Sequence, residues 1–332
     1  MKLNCLKLFS CIFVILILFS VTSYAYGPTA PNNEYCYIRA VKSGKYITVP
    51  NGTVSNGGEI KIYSGNETAS QRWYIYTYSD GYSLIRSAVN SNYYLTLKSS
   101  TSTNNAKLTI EYFQPGSAVP SRALFMFIGD VTLGITYIVN KGTIEDHSMT
   151  KALEAYGGST SDGTNIVNYD MYDGVDEACN QYWVIESTTR TVYPLGEDLV
   201  DSGGHCDWDS SSKYTYMVTL ATAAWNNRLG DTIFRNDTSN VLQDVKIADA
   251  KRNFFDSQII AQTSTLFNKI TFYTEVMDNL RGEMIRLHTV THELGHCLGL
   301  DESIQQGNIM TQGGRAYGTS ISLDDVATYE LT

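Results

Sequence analysis

The apolar and polar residues of this chain follow three different patterns in succession. Residues 11–21 form a nearly continuous apolar run. Between residues 37 and 187, short alternating segments are separated by turns rich in Gly, Asn and Ser, an arrangement typical of β-strands. In the segments 213–229 and 284–298, apolar residues recur at intervals of three and four, which predicts helices. We therefore expect an apolar leader, an all-β domain, and a second domain that contains helices and strands.

The apolar leader has the parts of an export signal. Lys2 and Lys7 give it a basic start, the apolar run follows, and small residues at its end predict cleavage after Ala25. The run is shorter than the roughly 20 apolar residues that a membrane-spanning helix needs, so a retained anchor is the second interpretation. We expect residues 1–25 to be a signal peptide, and the mature chain to be secreted, extracellular and free of the membrane.

Removal of this signal would leave 22 basic and 34 acidic side chains, because only two lysines are lost. Nucleic-acid binding requires a basic stripe that neutralises phosphates, and no cluster of Lys or Arg is present. The chain has 24 tyrosines and only 17% charged residues, which suits exposed sheets and turns and is compatible with sugar binding. We expect a monomer that does not bind nucleic acid.

The β pattern recurs three times, with a spacing of about 45 to 60 residues. The strand-like segments are 46–49, 60–63 and 71–73 in the first copy, 94–97, 108–112 and 124–127 in the second, and 152–155, 166–169 and 181–183 in the third. A unit of this size cannot bury its apolar face alone. Three copies therefore predict one closed architecture.

Two of the three copies end on Gln-x-Trp, at Trp73 and Trp183. Together with the threefold pattern, this resembles the ricin-type β-trefoil lectin family over residues 34–187. The resemblance implies a β-trefoil fold in which both tryptophans pack in the core. It also implies that each sugar site combines an early Asp, an aromatic platform and an Asn or Gln near the end of the repeat.

Only the third copy offers such a set of side chains for a sugar site. Its members are Asp162, Asn165, Tyr172, Asn180 and Gln181. Ordinary turn chemistry accounts for the Asp and Asn residues equally well. A trefoil that inhibits proteins or serves as an inert spacer therefore remains an alternative to a trefoil that binds glycans.

A boundary between domains is predicted at residues 188–212, where the repeats stop and Gly, Asp and Ser cluster. Four cysteines remain after signal removal, namely Cys36, Cys179, Cys206 and Cys297. An exported protein can keep cysteines oxidised, and three pairings are possible. We prefer the pairing within each domain, Cys36 with Cys179 and Cys206 with Cys297. We also expect residues 26–190 and 195–332 to fold separately.

The second domain, residues 213–332, carries the sequence His292-Glu293-Leu294-Gly295-His296 on its second predicted helix. Residues four apart lie on one face of a helix, so both imidazoles can bind one Zn²⁺ ion. Glu293 lies beside them and can take a proton from water as the catalytic base. His288, one turn earlier on the same face, is interpreted as a packing residue.

The motif continues in a way that resembles the metzincin metallopeptidases. Gly299 allows a sharp exit from the helix, Glu302 stands ten residues after His292, and Met310 lies where a Met-turn would support the metal. The resemblance implies an α+β domain with zinc ligands His292, His296 and Glu302. It also implies an antiparallel edge strand that binds the substrate backbone. The alternating segment 269–277 is our candidate for that strand.

The third ligand departs from the family pattern, which has His or Asp at this position. Glu binds zinc through oxygen in other metallopeptidases, so Glu302 is a legitimate ligand. Asp301, one residue earlier, could compete with it. A gluzincin, the second interpretation, would take its Glu from a separate downstream helix.

These features predict a zinc-dependent endopeptidase that hydrolyses peptide bonds in proteins or glycoproteins, with the lectin-like domain directing it to glycans. The alternative is a carbohydrate-binding protein whose metallopeptidase-like domain is inactive because Glu302 fails as a ligand.

Overall fold

A computed structural model describes residues 33–98, 103–114, 116–130, 135–147, 151–172, 179–238, 243–251, 259–280, 282–303, 308–311 and 321–332. The predicted signal peptide, residues 1–25, lies outside these ranges. None of the described helices combines the length and apolar content needed to cross a membrane.

The described residues form two β-sheets and five α-helices. The strands are β1 (Glu34–Ala40), β2 (Tyr46–Thr48), β3 (Gly58–Glu59), β4 (Lys61–Tyr63), β5 (Arg72–Thr77), β6 (Ser83–Ser87), β7 (Tyr93–Leu97), β8 (Leu108–Tyr112), β9 (Leu124–Asp130), β10 (Ile135–Asn140), β11 (Lys151–Ala155), β12 (Thr164–Asp170), β13 (Trp183–Ser187), β14 (Cys206–Ser210), β15 (Phe234–Asn236), β16 (Val245–Ala250), β17 (Ala261–Ser264) and β18 (Lys269–Tyr273). The helices are α1 (Lys141–His147), α2 (Thr215–Leu229), α3 (Thr274–Met277), α4 (Glu283–Cys297) and α5 (Leu323–Tyr329).

Six strands of the first sheet close into a barrel. β1 pairs with β5 and β13, β6 joins β5 to β9, and β10 joins β9 to β13, so the ring of strands returns to its start. Each of the three repeats adds one hairpin, β2–β4, β7–β8 or β11–β12, between its two barrel strands. A closed barrel leaves none of its six strands with a free edge. The predicted β-trefoil fold is confirmed.

The repeat-ending aromatic residues fill the barrel core. Trp73 and Trp183 are fully buried, and their indole N–H groups donate to Ile47 O and Leu153 O, each at 2.9 Å. Phe125 holds the corresponding place at the start of β9 and is also fully buried. A ring therefore fills this position in all three repeats, although the second lacks Gln-x-Trp.

The second sheet is mixed and lies in the C-terminal domain. Its strand order is β15-β14-β16-β18-β17, in which β17 alone is antiparallel to its neighbour. Helices α2 and α4 pack together, and the Trp225 indole donates to Thr291 O at 2.9 Å. This contact joins the two helices beside the sheet.

The two predicted helices of this domain are confirmed, whereas the predicted strand 269–277 is confirmed only in part. α2 ends at Gly230, whose left-handed φ of 74° only Gly adopts readily. The segment 269–277 is a strand only as far as Tyr273, where α3 follows. β18 is also paired on both sides, so it is not the predicted edge strand. The antiparallel edge strand is β17, which among the described strands pairs with β18 alone. The sequence prediction was wrong because alternation reveals which face of a strand is buried, but not whether the strand is paired on one side or on both.

The predicted linker, residues 188–212, packs on the domain that follows it. Leu195 N donates to Gly299 O and Leu199 N to Cys297 O, both at 2.8 Å, so this stretch runs beside the end of α4. β14 begins at Cys206, within the predicted linker. The connection therefore helps to fix the conformation of the residues that follow α4.

Helix α5 attaches the second domain to the barrel. Leu323 is buried in a cluster with Tyr37 and Tyr46 of the trefoil. Arg190 of the connection pairs with Glu67 at 2.9 Å. Separate folding of the two halves stays a prediction, and these contacts indicate that separation would expose apolar surface at Leu323.

Truncation of Leu323 tests the contribution of this contact. Leu323→Ala should lower the free energy of unfolding by about 2 to 4 kcal/mol, because it leaves a cavity between α5 and the barrel. Denaturant unfolding of the full chain measures the change. Leu331→Ala, at a position 66% exposed, is the control and should change stability by less than about 0.5 kcal/mol. Equal effects of the two variants would contradict a stabilising role for Leu323.

Candidate functional site

The two histidines of the His-Glu-x-x-His motif meet the carboxylate of Glu302. His292 and His296 lie one turn apart on α4, with ring centroids 4.9 Å apart. Glu302 Oε1 lies 3.5 Å from His292 Nε2 and 3.7 Å from His296 Nε2. One possible ligand atom from each residue lies within 4.8 Å of the others. The structure thus brings together the three predicted zinc ligands.

Backbone carbonyls orient both imidazole rings. His292 Nδ1 lies 2.9 Å from Ile309 O, and His296 Nδ1 lies 2.8 Å from Leu300 O. A carbonyl can only accept, so each Nδ1 carries the proton and donates it. In the neutral form of each ring, the lone pair is then on Nε2, which is the atom that can bind a metal.

This donor set fits a zinc ion. Zinc in catalytic sites takes three protein ligands, drawn from His nitrogen and carboxylate oxygen, and keeps one position open. The side chains of His292, His296 and Glu302 are 13%, 16% and 35% exposed. This partial exposure allows solvent or substrate to approach the site.

The turn that contains Met310 packs closely against α4. A Cβ atom at position 295 would lie 2.3 Å from Met310 Sδ, so only Gly295 permits this approach. Met310 is buried, with an exposed fraction of 1%. The predicted Met-turn residue therefore contacts α4 between the positions of the two histidines.

Helix α5 supports the same turn from the other side. Asp325 Oδ2 accepts hydrogen bonds from Ile309 N at 3.0 Å and from Ser322 N at 2.7 Å. Burial raises the pKa of Asp325, whereas these donors act to lower it. The backbone of Ile309 thus links Asp325 to His292.

The two acidic candidates for the third ligand have different environments. Asp301 is exposed, and its Oδ1 accepts a hydrogen bond from Glu302 N at 2.8 Å. Its own N–H donates to Tyr193 O at 2.7 Å, which fixes the loop after Gly299. The geometry therefore favours Glu302, and not Asp301, as the third ligand.

A threonine on the edge strand holds the candidate base. Thr263 Oγ1 lies 2.6 Å from Glu293 Oε2 and 3.0 Å from Glu293 O. The sequence prediction missed Thr263, because its approach to Glu293 depends on how β17 packs against α4. His288 is buried, with its ring centroid 6.4 Å from that of His292, and lies outside the ligand cluster.

When no metal is bound, His292 and Glu302 shift each other's pKa. Burial alone would lower the pKa of His292, but hydrogen bonding to Glu302 and the charges of Glu293 and Glu302 raise it to about 9. Burial would raise the pKa of Glu302, but the two imidazoles lower it to about 2. An imidazolium and a carboxylate therefore pair where a metal would bind.

In the third trefoil repeat, three of the five sugar-site candidates lie together. Gln181 is fully buried, and its Nε2 donates to Asp170 O at 2.8 Å. Tyr172 is hydrogen-bonded to Asn180 and to Glu154. The same Glu154 carboxylate accepts from Gln181 Nε2 at 3.5 Å. Burial raises the pKa of Glu154.

Glu154 is the acidic residue of this cluster, and the sequence prediction missed it. In the first repeat, Gln71 Nε2 likewise donates to Thr48 Oγ1, at 3.1 Å. Thr48 and Glu154 occupy corresponding places on β2 and β11, so aligning the repeats on their first hairpin strands could have identified Glu154.

Asp162 and Asn165 lie away from this cluster, which corrects the predicted set. Asp162 accepts hydrogen bonds from Ser64 N, at 2.8 Å, and from Lys45 Nζ. Asn165 lies on β12 opposite Lys61 of β4. Both residues face the first repeat, because the turn before β12 packs on β4.

The first repeat contains a cavity that the sequence prediction did not include. Its volume is 760 Å³, and its lining includes Thr48, Tyr63, Ser70 and Asp162. Most of its lining residues are small or polar, with Tyr63 as the one aromatic ring.

The two predicted disulfides are not formed in this structure, where Cys36, Cys179, Cys206 and Cys297 are all buried. Cys36 donates to Trp73 O at 3.4 Å within the barrel core, whereas Cys179 belongs to a separate apolar cluster. Cys206 and Cys297 are fully buried, and their side chains are in hydrogen-bond contact. The strand-to-helix packing therefore brings only the second predicted pair together.

Comparison with known proteins found a family similarity in the first domain. Residues 22–111 match the family model described as ricin-type beta-trefoil lectin domain-like. This match agrees with the closed barrel and its three hairpins, so the N-terminal domain is similar to the ricin-type β-trefoil lectins. A comparison with curated proteins found no match.

Several solved structures are similar to part of the chain. The designed threefold-symmetric protein ThreeFoil is 24% identical over 46% of this chain and 98% of its own, with a TM-score of 0.39. The ricin B-like lectin of Macrolepiota procera, solved with lactose, is 18% identical over 48% of this chain and 98% of its own, with a TM-score of 0.38. The exo-β-1,3-galactanase 1,3Gal43A of Clostridium thermocellum is 22% identical over 48% and 31%, with a TM-score of 0.40.

Substitution of the two neighbouring acids distinguishes their roles. Glu302→Ala should remove most bound zinc, because a site with two imidazoles lacks its third ligand. Asp301→Ala is the matched control and should keep its zinc, since Asp301 is exposed and only caps the loop. Metal analysis of the purified variants after dialysis measures occupancy. Loss of zinc from Asp301→Ala, with retention in Glu302→Ala, would reverse the assignment.

Zinc affinity should depend on pH through His292. Because the pKa of His292 is raised to about 9, the ring is protonated at neutral pH, and zinc must displace that proton. Glu302, with a pKa of about 2, stays ionised. Affinity should therefore rise by up to about tenfold per pH unit between pH 6.5 and 9, measured by competition with a chromophoric chelator. A flat profile across this range would contradict the pairing of His292 with Glu302.

Proposed function

We propose that this protein is a secreted, zinc-dependent endopeptidase that its lectin domain directs to glycosylated substrates or surfaces. The observation that carries the proposal is the meeting of His292, His296 and Glu302, with ligand atoms within 4.8 Å of one another. Glu293 follows the first ligand directly on the same helix. This is the arrangement that metal-assisted peptide hydrolysis requires.

Zinc, when bound, would supply a Lewis acid that polarises the scissile carbonyl and lowers the pKa of water to about 7. The chain's own residues account for the proton transfers. Glu293 takes the proton of the attacking water and passes it to the nitrogen of the leaving amine. Thr263, which donates to Glu293 Oε2, leaves the other carboxylate oxygen to act as the base.

Strand β17 is the candidate binding site for the substrate backbone. It pairs with β18 on one side and has no strand partner on the other among the described residues. An extended peptide can add to such an edge through main-chain hydrogen bonds. Because Thr263 of this strand contacts Glu293, a peptide bound along the edge would place its backbone beside the base.

The lectin domain supplies the second part of the proposal. Carbohydrate binding agrees with its family match and with the cluster of Glu154, Tyr172, Asn180 and Gln181. Carboxylate and amide groups hydrogen-bond sugar hydroxyls, and a tyrosine ring can stack on the apolar face of a sugar. We infer that a glycan binds there.

A carbohydrate-binding protein with an inactive metallopeptidase-like domain is the second candidate, and the family match to the lectin part is equally compatible with both candidates. Cleavage of casein or gelatin distinguishes the two. Hydrolysis that a chelator abolishes, and that added zinc restores, supports the peptidase. Absence of hydrolysis in the zinc-loaded protein supports the lectin alone.

Removal of the base should separate metal binding from catalysis. Glu293→Ala should lower kcat by at least about a hundredfold, since general-base catalysis contributes roughly 10² to 10⁴. Zinc content should stay at the wild-type level, because Glu293 is not a ligand. Casein hydrolysis and metal analysis of the same preparation measure both. Wild-type turnover in this variant would contradict the role of Glu293.

A further inference from the structure

A cleft of 830 Å³ lies between the trefoil and helix α2 of the second domain. The turn 42–45 and Ser64 line it from the trefoil, and Leu220, Asn227 and Arg228 line it from α2. Both domains therefore contribute to one concave surface. Neither the metal site nor the third-repeat sugar cluster includes this surface.

The cleft is rich in cations although the whole chain has a formal net charge of −10. Lys42, Lys45 and Arg228 all contribute to its walls, and none of its lining residues is acidic. Lys45 pairs with Asp162, which borders the cleft. Within the described residues, no carboxylate lies within 4.0 Å of Lys42 or Arg228 in an ion pair.

Arg228 is held by neutral partners. Its Nε donates to Ile321 O at 3.2 Å, and its NH2 group donates to Tyr46 OH at 3.4 Å. These contacts fix the guanidinium without neutralising its charge. A partly buried cation of this kind favours a bound anion, because the low local dielectric strengthens their attraction.

Lys42 connects this cleft to the third-repeat sugar cluster. Its Nζ donates to Asn180 Oδ1 at 2.8 Å, and Asn180 contacts Tyr172. A sugar held by Tyr172 and Asn180 would therefore have Lys42 beside it. The next unit of the same glycan could enter the cleft, where Arg228 lies on the opposite wall.

We propose that the cleft binds an acidic unit, carboxylated or sulfated, of the glycan that the trefoil recognises. This inference rests on the proposed glycan binding and names the class of glycan. Ammonium and guanidinium groups bind carboxylate and sulfate oxygens by charge-assisted hydrogen bonds, while Ser64 and Asn227 can bond to sugar hydroxyls. Lys42 and Arg228, which have no ion-pair partner among the described residues, suit one anionic group better than an extended polyanion, which needs a longer basic stripe.

Paired glycans test the proposal with the full-length chain. An array carries neutral oligosaccharides beside the same cores capped with sialic acid or substituted with O-sulfate. At least one acidic form should bind about fivefold more tightly than its neutral core, the upper range for a solvent-accessible ion pair. Raising the salt from low to physiological concentration should reduce this advantage and leave the neutral core unaffected. The two acidic arms distinguish carboxylate from sulfate.

Variants of the cleft separate this inference from the proposed function. Arg228→Gln should remove the preference for acidic glycans and keep binding of the neutral core within about twofold. Lys42→Gln should also remove the preference, but it loses the hydrogen bond to Asn180 and should weaken binding of the neutral core as well. Arg228→Lys keeps the positive charge and should therefore retain the preference for acidic glycans. This control shows whether replacing Arg228 by itself disturbs the fold. Lys98→Gln, an exposed lysine of the trefoil outside the cleft, is the matched control and should behave as wild type.

Asn180→Ala should weaken binding of the neutral and the acidic glycans alike, because both would contact the sugar cluster that contains Asn180. Equal binding of neutral and acidic forms by the wild-type chain would overturn the acidic-unit inference alone. Binding of no glycan of either kind would overturn both the inference and the proposed lectin function.

Discussion

The hydrogen bond from His292 Nδ1 to Ile309 O is the contact on which the geometry of the proposed metal centre depends. It fixes the proton on Nδ1 and turns Nε2 toward Glu302. The carbonyl belongs to a turn whose N–H donates to the buried carboxylate of Asp325. A buried carboxylate needs such donors, so the turn and α5 hold each other in place. The metal ligand is therefore positioned by residues far from it in the sequence.

The same helix connects the metal centre to the trefoil. α5 begins with a capping box formed by Ser322 and Asp325, and its first residue, Leu323, lies in one buried cluster with Tyr37 and Tyr46. The trefoil thus contacts the helix that supports the turn beneath the predicted metal ligands, in addition to its proposed part in glycan binding.

Charge is distributed to match two different ligands. At the proposed metal centre, two imidazoles that would be neutral once a metal is bound lie beside the carboxylate of Glu302, a set that suits a cation. The cleft between the domains gathers Lys42, Lys45 and Arg228 in a chain whose overall charge is negative. The proposed metal ion and the proposed acidic glycan would therefore not compete for one site.

Local spacing in the sequence determined much of this protein. Three repeats predicted the trefoil, and the four-residue spacing of His292 and His296 placed both rings on one helical face, because these features depend only on strand and helix periods. Tertiary packing alone decided the rest. The linker contacts turned Glu302 inward, β17 rather than β18 took the edge, Glu154 replaced Asp162 in the sugar cluster, and Cys36 was separated from Cys179. Each of these outcomes depends on which distant segments pack together, and sequence periodicity carries no information on such contacts.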